Sequence, residues 1–212
     1  MDQETIYDFP QSGGNEVGLV ATGGNLSPGT LFNAYSKGIF PWYEIGGIVY
    51  WFSPDPRFVL FPHKLKISHS MRSVLNKNTF QFTADKAFEE VIKKCRTIKR
   101  GAEEGTWISD DIQNAYIRLF NCGLAHSAEA WQNNRLVGGL YGVLLGKVFF
   151  GESMFAEKSN ASKFALIKWT EELMRQGVQL IDCQVYTKHL ESMGAEFVSG
   201  AEFKLMLKKF IR

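Results

Sequence analysis

The sequence predicts an α+β protein with a small N-terminal domain, residues 1–63, and a larger domain, residues 64–212. Three observations support this fold class. The first segment concentrates prolines and paired glycines, so its regular structure must be short. The second segment alternates stretches of helical and strand periodicity. It ends in the order strand–helix–strand, which adds a parallel pair to a mixed, mostly antiparallel sheet.

In the N-terminal domain we expect one helix and two short strands. Pro28 in the first turn, after Ser27 as the cap, predicts a helix that reaches Gly38. The apolar residues 48–52 predict a strand that ends at the proline-rich segment 53–56. A second apolar run, 58–61, is closed by Pro62, and Arg57 before it is expected to bond Asp55 or a backbone carbonyl.

The order expected in the larger domain is a helix pair, an antiparallel meander and then a strand–helix–strand unit. The predicted helices are 67–75, 85–97, one that starts after Ser109, one from Ser159 or Asn160 to 176, 188–193 and 202–210. The predicted strands are 79–82, 125–131, 136–145, 148–155, 178–185 and 196–198, with a hairpin turn at 133–134. This order matches the layout of the N-acyltransferase (GNAT-like) fold, an analogy of fold alone.

Composition excludes several classes of protein. Hydrophobic residues make up 45% and charged residues 22%, which excludes a disordered chain. The formal net charge of +2 excludes a histone-like polycation. Three widely spaced cysteines favour a reducing, cytoplasmic setting, and no signal peptide or membrane span is expected. The histidines and cysteines lack metal-ligand spacing, so no metal site is expected.

Three polar residues interrupt two otherwise apolar strands. Glu152 lies among aromatic residues, and Asp182 and Gln184 alternate with apolar neighbours, so the latter two should share one face of their strand. A carboxylate on a core strand is costly unless it is paired or used. A buried polar network and a catalytic site are both open interpretations. Glu152 can join the other two if its strand is their neighbour.

A dense basic segment is a candidate phosphate-binding surface, although a solvated helix face is an open alternative. The candidate tRNA-binding residues are Lys93, Lys94, Arg96, Lys99 and Arg100.

Nine short motifs, taken together in chain order, resemble the leucyl/phenylalanyl-tRNA–protein transferase family. They are GGNLSP at 23–28, GIFPW at 38–42, WFSPDPR at 51–57, EEGTWI at 103–108, HSAEAW at 126–131, GGLYG at 138–142, GESMF at 151–155, NASK at 160–163 and IDCQ at 181–184. Single motifs are weak, but the ordered set is specific.

The resemblance implies an N-acyltransferase-like larger domain and a defined reaction. Leu or Phe, with Met as a further candidate, would pass from aminoacyl-tRNA to the α-amine of a protein that begins with Arg or Lys. That reaction marks proteins for degradation through the N-degron pathway. No cofactor, metal or membrane is implied, and a monomer is expected.

The resemblance also implies which residues form the site. Asp182 and Gln184 correspond to the proposed catalytic pair, and Glu152, Trp42 and Trp107 to residues that line the site. The amino-acid pocket corresponds to Leu140, Phe149, Leu166, Trp169 and Ile181. Leu140 and Trp169 stand where Met and Phe are familiar, and Trp169 is expected to make the pocket smaller.

Two other functions compete with this interpretation. An acetyltransferase that uses acyl-CoA would need a glycine-containing pyrophosphate loop, and residues 156–161 contain no glycine. A non-catalytic RNA-binding module accounts for the basic and aromatic residues. It does not account for Glu152, Asp182 and Gln184 on core strands.

Overall fold

The computed structural model describes residues 5–10, 17–98 and 108–211, which form two sheets with helices packed around them. The strands are β1 (Leu19–Thr22), β2 (Phe40–Ile45), β3 (Ile48–Phe52), β4 (Arg57–Leu60), β5 (Gln81–Ala84), β6 (Ala125–Gln132), β7 (Arg135–Leu145), β8 (Val148–Ala156), β9 (Leu180–Gln184) and β10 (Glu196–Val198). The helices are α1 (Pro28–Ser36), α2 (His69–Asn76), α3 (Phe88–Thr97), α4 (Asp110–Asn121), α5 (Ala161–Arg175), α6 (Lys188–Ser192) and α7 (Gly200–Phe210), with a 3₁₀ turn at Pro62–Lys64.

The smaller sheet has the order β1-β3-β2 and is antiparallel. The sequence analysis predicted β3 and α1, and the Ser27 side chain caps α1 as expected. It missed β1 and β2. Pro41 in β2 argues against a strand, but β2 is an edge strand and its register shifts between Pro41 and Tyr43, which is where a sheet tolerates proline.

The larger sheet has the order β10-β4-β9-β8-β7-β6-β5 and confirms the predicted mixed α+β architecture. Its pairs are antiparallel except for β8 and β9, which run parallel. The parallel pairing extends from Val148 opposite Leu180 to Phe150 opposite Asp182. Beyond that point β8 continues to Ala156 beside β7, while β9 continues to Gln184 beside β4. The two strands therefore diverge, and a cleft opens between them.

Helices cover both faces of the larger sheet. Side chains of α3 and α4 pack into one core cluster together with the smaller sheet, and α2 and α5 pack on the other face. Helix α5 approaches β7 closely at Gly138, where an added Cβ would lie 2.5 Å from the Cβ of Ala161. This contact fixes the first turn of α5 near the cleft.

Strand β4 lies N-terminal to residue 63 but is part of the larger sheet, between β10 and β9. The division of the chain at residue 63 stays a prediction.

The helix expected from residue 85 begins at Phe88, because Asp85 has a left-handed φ of +57° and its carboxylate bonds to the next strand. Arg57, the first residue of β4, brings a charged side chain into the interior.

Candidate active site

A cavity of about 520 Å³ lies in the cleft between β8 and β9. Its walls come from β2, β7, the second half of β8, the first turns of α5, the end of β9 and the segment through α6. Most of its lining is apolar, and Glu152, Asp182 and Gln184 lie together on the side of β8 and β9. The cavity therefore has the form of a small-molecule site, with apolar walls and a few convergent polar groups.

Glu152 is the centre of the polar groups. Its Oε1 accepts hydrogen bonds from the Tyr35 hydroxyl and from Gln184 Nε2, both at 2.7 Å, and its Oε2 accepts one from the Tyr116 hydroxyl at 2.7 Å. Burial is the main cause that raises the pKa of Glu152 to about 7, with a contribution from the Asp182 charge, while the three hydrogen bonds oppose the rise. At neutral pH this carboxyl group is therefore poised between its two protonation states.

The two tyrosines form a triangle with Glu152. Their hydroxyl oxygens are 2.5 Å apart, and both side chains are fully buried. Burial and then the Glu152 charge raise the pKa of both phenols well above the ordinary value, so both stay protonated. The three oxygen–oxygen contacts of this triangle need three protons, and the two phenols provide only two. A proton on Glu152 would be the third. The geometry thus agrees with the raised pKa of Glu152.

Asp182 is held by Arg57 in a buried ion pair. Arg57 Nε donates to Oδ1 at 2.8 Å and Nη2 donates to Oδ2 at 2.7 Å, and both side chains are 0% exposed. The guanidinium lies between the rings of Phe40 and Phe203, at 4.9 and 4.7 Å from their centroids. The predicted bond from Arg57 to Asp55 or a backbone carbonyl is wrong, because Arg57 bonds Asp182, and Asp55 instead accepts a hydrogen bond from the Gly200 backbone N–H. Arg57 is needed to compensate the Asp182 charge in the interior.

Gln184 reaches Glu152 because β9 is irregular at its end. Against β4, Val59 pairs with Asp182 and Phe58 with Gln184, so Cys183 is an extra residue, as in a β-bulge. Gln184 has a left-handed φ of +63°, and its backbone N–H donates to Asp182 Oδ1 at 2.9 Å. Asp182 and Gln184 both line the cavity, and a bulge separates them where regular alternation was expected. Burial raises the pKa of the Cys183 thiol far above its usual range, which excludes a thiolate nucleophile there.

The structure brings most of the predicted pocket together. Leu140, Phe149, Leu166 and Ile181 line the cavity, and Trp42 lines it from β2. Trp169 lies behind this surface: it is 2% exposed and packs edge-on against Phe149, with ring centroids 5.6 Å apart. Trp107 lies outside the described residues.

The predicted tRNA-binding cluster is on α3, on the sheet face opposite α5. Lys94 Nζ forms an ion pair with Glu157 at 2.6 Å, and Arg96 forms one with Asp110. Lys93 belongs to the same helix, and Lys99 and Arg100 lie outside the described residues. The two ion pairs are exposed enough to be exchanged for phosphate contacts.

The sequence analysis missed Tyr35, Tyr116, Arg57 and His189. Tyr35 and Tyr116 lie on helices α1 and α4, and the available signal was that a buried phenol needs a hydrogen-bond partner. His189 lines the cavity from α6 and gave no signal in the sequence.

Among the residues that the structure describes, no group of three His, Cys, Asp or Glu side chains is placed to hold a metal ion. Within the same residues, no helix is long and apolar enough to cross a membrane.

Comparison with known proteins identifies relatives over most of the chain. The profile of the leucyl/phenylalanyl-tRNA protein transferase family matches residues 59–208, and the profile of that family's N-terminal domain matches residues 24–55. Relatives named leucyl/phenylalanyl-tRNA–protein transferase occur in Christiangramia forsetii, with 53% identity over 92% of this chain and 92% of the relative, and in Syntrophus aciditrophicus, with 51% identity over 96% and 85%.

Likeness to solved structures is low. A protein of unknown function from Bacteroides thetaiotaomicron has a TM-score of 0.47 at 12% identity, over 73% of this chain and 55% of its own, so the chain spans about half of that protein. Likeness at that score does not identify the fold. The sequence relatives and the family profile agree, and the chain belongs to the leucyl/phenylalanyl-tRNA–protein transferase family, whose members are tRNA-dependent aminoacyltransferases.

Proposed function

We propose that this protein transfers Leu or Phe from aminoacyl-tRNA to the α-amine of proteins that begin with Arg or Lys, and so marks them for degradation. The observation that carries the proposal is the cavity itself, an apolar pocket that ends at Glu152 and Gln184. The apolar residues suit the side chain of Leu or Phe. A charged donor side chain would be rejected, because burial of a charge without a partner is strongly unfavourable.

The reaction depends more on positioning the amine and the ester than on activating them. An aminoacyl ester is already activated, and the acceptor α-amine, with an ordinary pKa of about 7.7–8.0, is partly neutral near pH 7. Holding amine and ester in contact is worth up to ~7–11 kcal/mol. The amine nitrogen attacks the ester carbonyl, the amide bond forms, and the tRNA 3′ oxygen leaves as a hydroxyl after it takes a proton.

Glu152 is our candidate for the group that receives the amine proton. A carboxylate offers about four acceptor positions, and the described side chains fill three of them. The remaining position can accept a hydrogen bond from the incoming amine. With its nitrogen committed to Glu152, Gln184 can present its carbonyl oxygen to the same amine. A pKa of about 7 suits a group that takes and returns a proton near neutral pH.

Asp182 acts in this proposal as a positioning residue. Both of its oxygens are engaged by Arg57 and its side chain is fully buried, which disfavours direct contact with substrate. Through its bond to the Gln184 backbone it stabilises the left-handed residue that directs the Gln184 side chain to Glu152.

The proposal includes the surroundings of the reaction. Trp42 stacks on the 3′ adenosine, the larger domain is N-acyltransferase-like, and the enzyme acts as a cytoplasmic monomer. The divergence of the parallel strands β8 and β9 supports that fold assignment.

The test is single-turnover incubation of the protein with labelled leucyl-tRNA and a peptide that begins with Arg, without ATP, CoA or added metal. We expect labelled Leu at the peptide N-terminus, and much less with a peptide that begins with Glu. Transfer that requires acetyl-CoA, or that ignores the first residue of the peptide, would overturn the proposal.

A further inference from the structure

One side of the cavity is formed by the first turn of α5 and by the segment through α6. Ser162 comes from α5, and Thr187, His189 and Leu190 come from the other segment. Among the described residues, His189 Nε2 is a buried ring nitrogen that has no hydrogen-bond partner. Buried polar atoms in folded proteins are nearly all paired with protein, water or ligand. Since His189 lines the cavity, a ligand bound there can supply the missing partner.

Positive charge surrounds this histidine. Lys163 follows Ser162 in the first turn of α5 and is half-buried, and Lys188 precedes His189 and is exposed. Burial and the Lys163 charge both lower the pKa of His189, so its imidazole is neutral at neutral pH and one ring N–H can donate. By contrast, Lys168 on the same helix is paired with Glu171 at 2.7 Å. In the described part of the chain, Lys163 and Lys188 form no ion pair of this kind.

We propose that Lys163 and His189 bind the phosphate that joins the 3′-terminal adenosine of the donor tRNA to the preceding nucleotide. The proposal rests on the proposed function, which places the donor amino acid among Leu140, Leu166 and their neighbours. Trp42 lies in the β2 part of the cavity wall and suits the adenine, and the α5–α6 side suits the sugar–phosphate. An ammonium group and a neutral imidazole N–H can both donate to phosphate oxygens.

The charges favour the donor over the acceptor at this side of the cavity. An acceptor that begins with Arg or Lys is cationic, so Lys163 and Lys188 repel it, whereas the Glu152 carboxylate attracts it. A nucleic-acid phosphate has the opposite preference. The two substrates can therefore approach the same cavity from electrostatically distinct sides.

The experiment measures binding rather than transfer. The probes are phenylalanyl-adenosine with a 3′ amide link, and the same compound carrying a 5′ cytidylyl group, which adds one phosphate. We expect the full-length parent to bind the phosphate-containing probe about tenfold more tightly by calorimetry, as a charge-assisted contact predicts. Lys163→Ala and His189→Ala should lose most of this preference, and His189→Gln, which keeps an N–H donor, should retain part of it.

Lys168→Ala is the matched control, because it removes a lysine from the same helix whose ammonium is already paired. It should keep the parental preference. With leucyl-tRNA, Lys163→Ala should reduce the salt slope of the affinity by ~0.7, the value for one single-strand phosphate contact. Circular dichroism confirms that each variant is folded.

Two results would overturn the inference. In one, folded Lys163→Ala and His189→Ala keep the parental preference for the phosphate probe. In the other, they weaken both probes equally, which indicates a general change in the cavity. A parent that shows the preference yet transfers no Leu to peptides upholds the phosphate contact and refutes the proposed function.

Discussion

Substitution of Asp182 by Asn removes one charge from the buried pair and leaves the Arg57 guanidinium in the interior. Both partners are 0% exposed, so solvent cannot compensate. Removing one member of a buried pair costs about 3–5 kcal/mol. Since the asparagine side chain would keep the shape and one acceptor oxygen, we expect the lower end of that range. For a chain of this length, a loss of about 3 kcal/mol lowers the melting temperature by roughly 6–12 °C.

The same substitution should slow the reaction. If Asp182 positions Gln184 through its backbone N–H, a displacement of about 1 Å at Gln184 is enough for a loss of ~100-fold in kcat. Binding of tRNA should change little, because its phosphates lie away from the buried pair. The assay combines urea unfolding with steady-state transfer kinetics over a range of acceptor peptide concentrations.

A double variant separates positioning from stability. In Arg57→Met/Asp182→Leu both charges are absent, and replacement of a whole buried pair by apolar residues is often neutral or stabilising. We expect the double variant to regain stability relative to Asp182→Asn but to remain slow, because nothing accepts the Gln184 backbone N–H. Recovery of both stability and rate would refute a positioning role for Asp182, and parental stability of folded Asp182→Asn would refute the energetic argument.

Three other perturbations test the ionisation of Glu152, the donor pocket and the basic face of α3. Below pH 7, the slope of log kcat/KM against pH should be smaller in Glu152→Gln than in the parent by about 1, because only the parent must lose the Glu152 proton. The same pH profile in both proteins would contradict this. Because its pKa is raised, Glu152 binds more protons in the folded state than in the unfolded state between about pH 4.5 and pH 7. The free energy of unfolding of the parent should therefore fall as the pH rises through this range, and that of Glu152→Gln should not. Trp169→Ala should lower the free energy of unfolding by ~3–5 kcal/mol and let Phe149 move, which widens the pocket toward bulkier donors. Relative rates with Leu, Phe and Trp donors that are unchanged from the parent would exclude Trp169 from selectivity. Lys94→Ala/Arg96→Ala should lower the salt slope of tRNA affinity by ~0.7–0.9 for each phosphate that these side chains neutralise in the parent, and a parental slope would assign α3 to the solvated surface.

Patterns along the chain predicted the strands of the larger sheet but only β3 of the smaller one. Strands β7 and β8 are long, mostly apolar runs joined by turn residues, which is the signal that sequence reasoning uses best. Strands β1 and β2 are short and lie beside glycine, and β2 contains Pro41. Their local sequence therefore disfavours a strand, and they form because they pair with β3.

For the site, the sequence indicated which residues are anomalous but not what they contact. Asp182 and Glu152 stood out because carboxylates are costly on core strands. Their partners Arg57 and Tyr35 are 125 and 117 positions away in the sequence, and no local pattern connects them. The bulge at Cys183 could not be predicted either, because a bulged strand and a regular strand can have the same alternation of polar and apolar residues.

The cavity depends on residues before position 63 as well as on strands β8 and β9. Tyr35 in α1 donates to Glu152, Trp42 in β2 lines the wall, and Arg57 in β4 neutralises Asp182, while the carboxylates themselves come from β8 and β9. Arg57 compensates a buried charge, and Tyr35 satisfies an acceptor that is partly buried. Residues before position 63 therefore contribute to the ionisation and the geometry of the candidate catalytic residues, and both parts of the chain form the site.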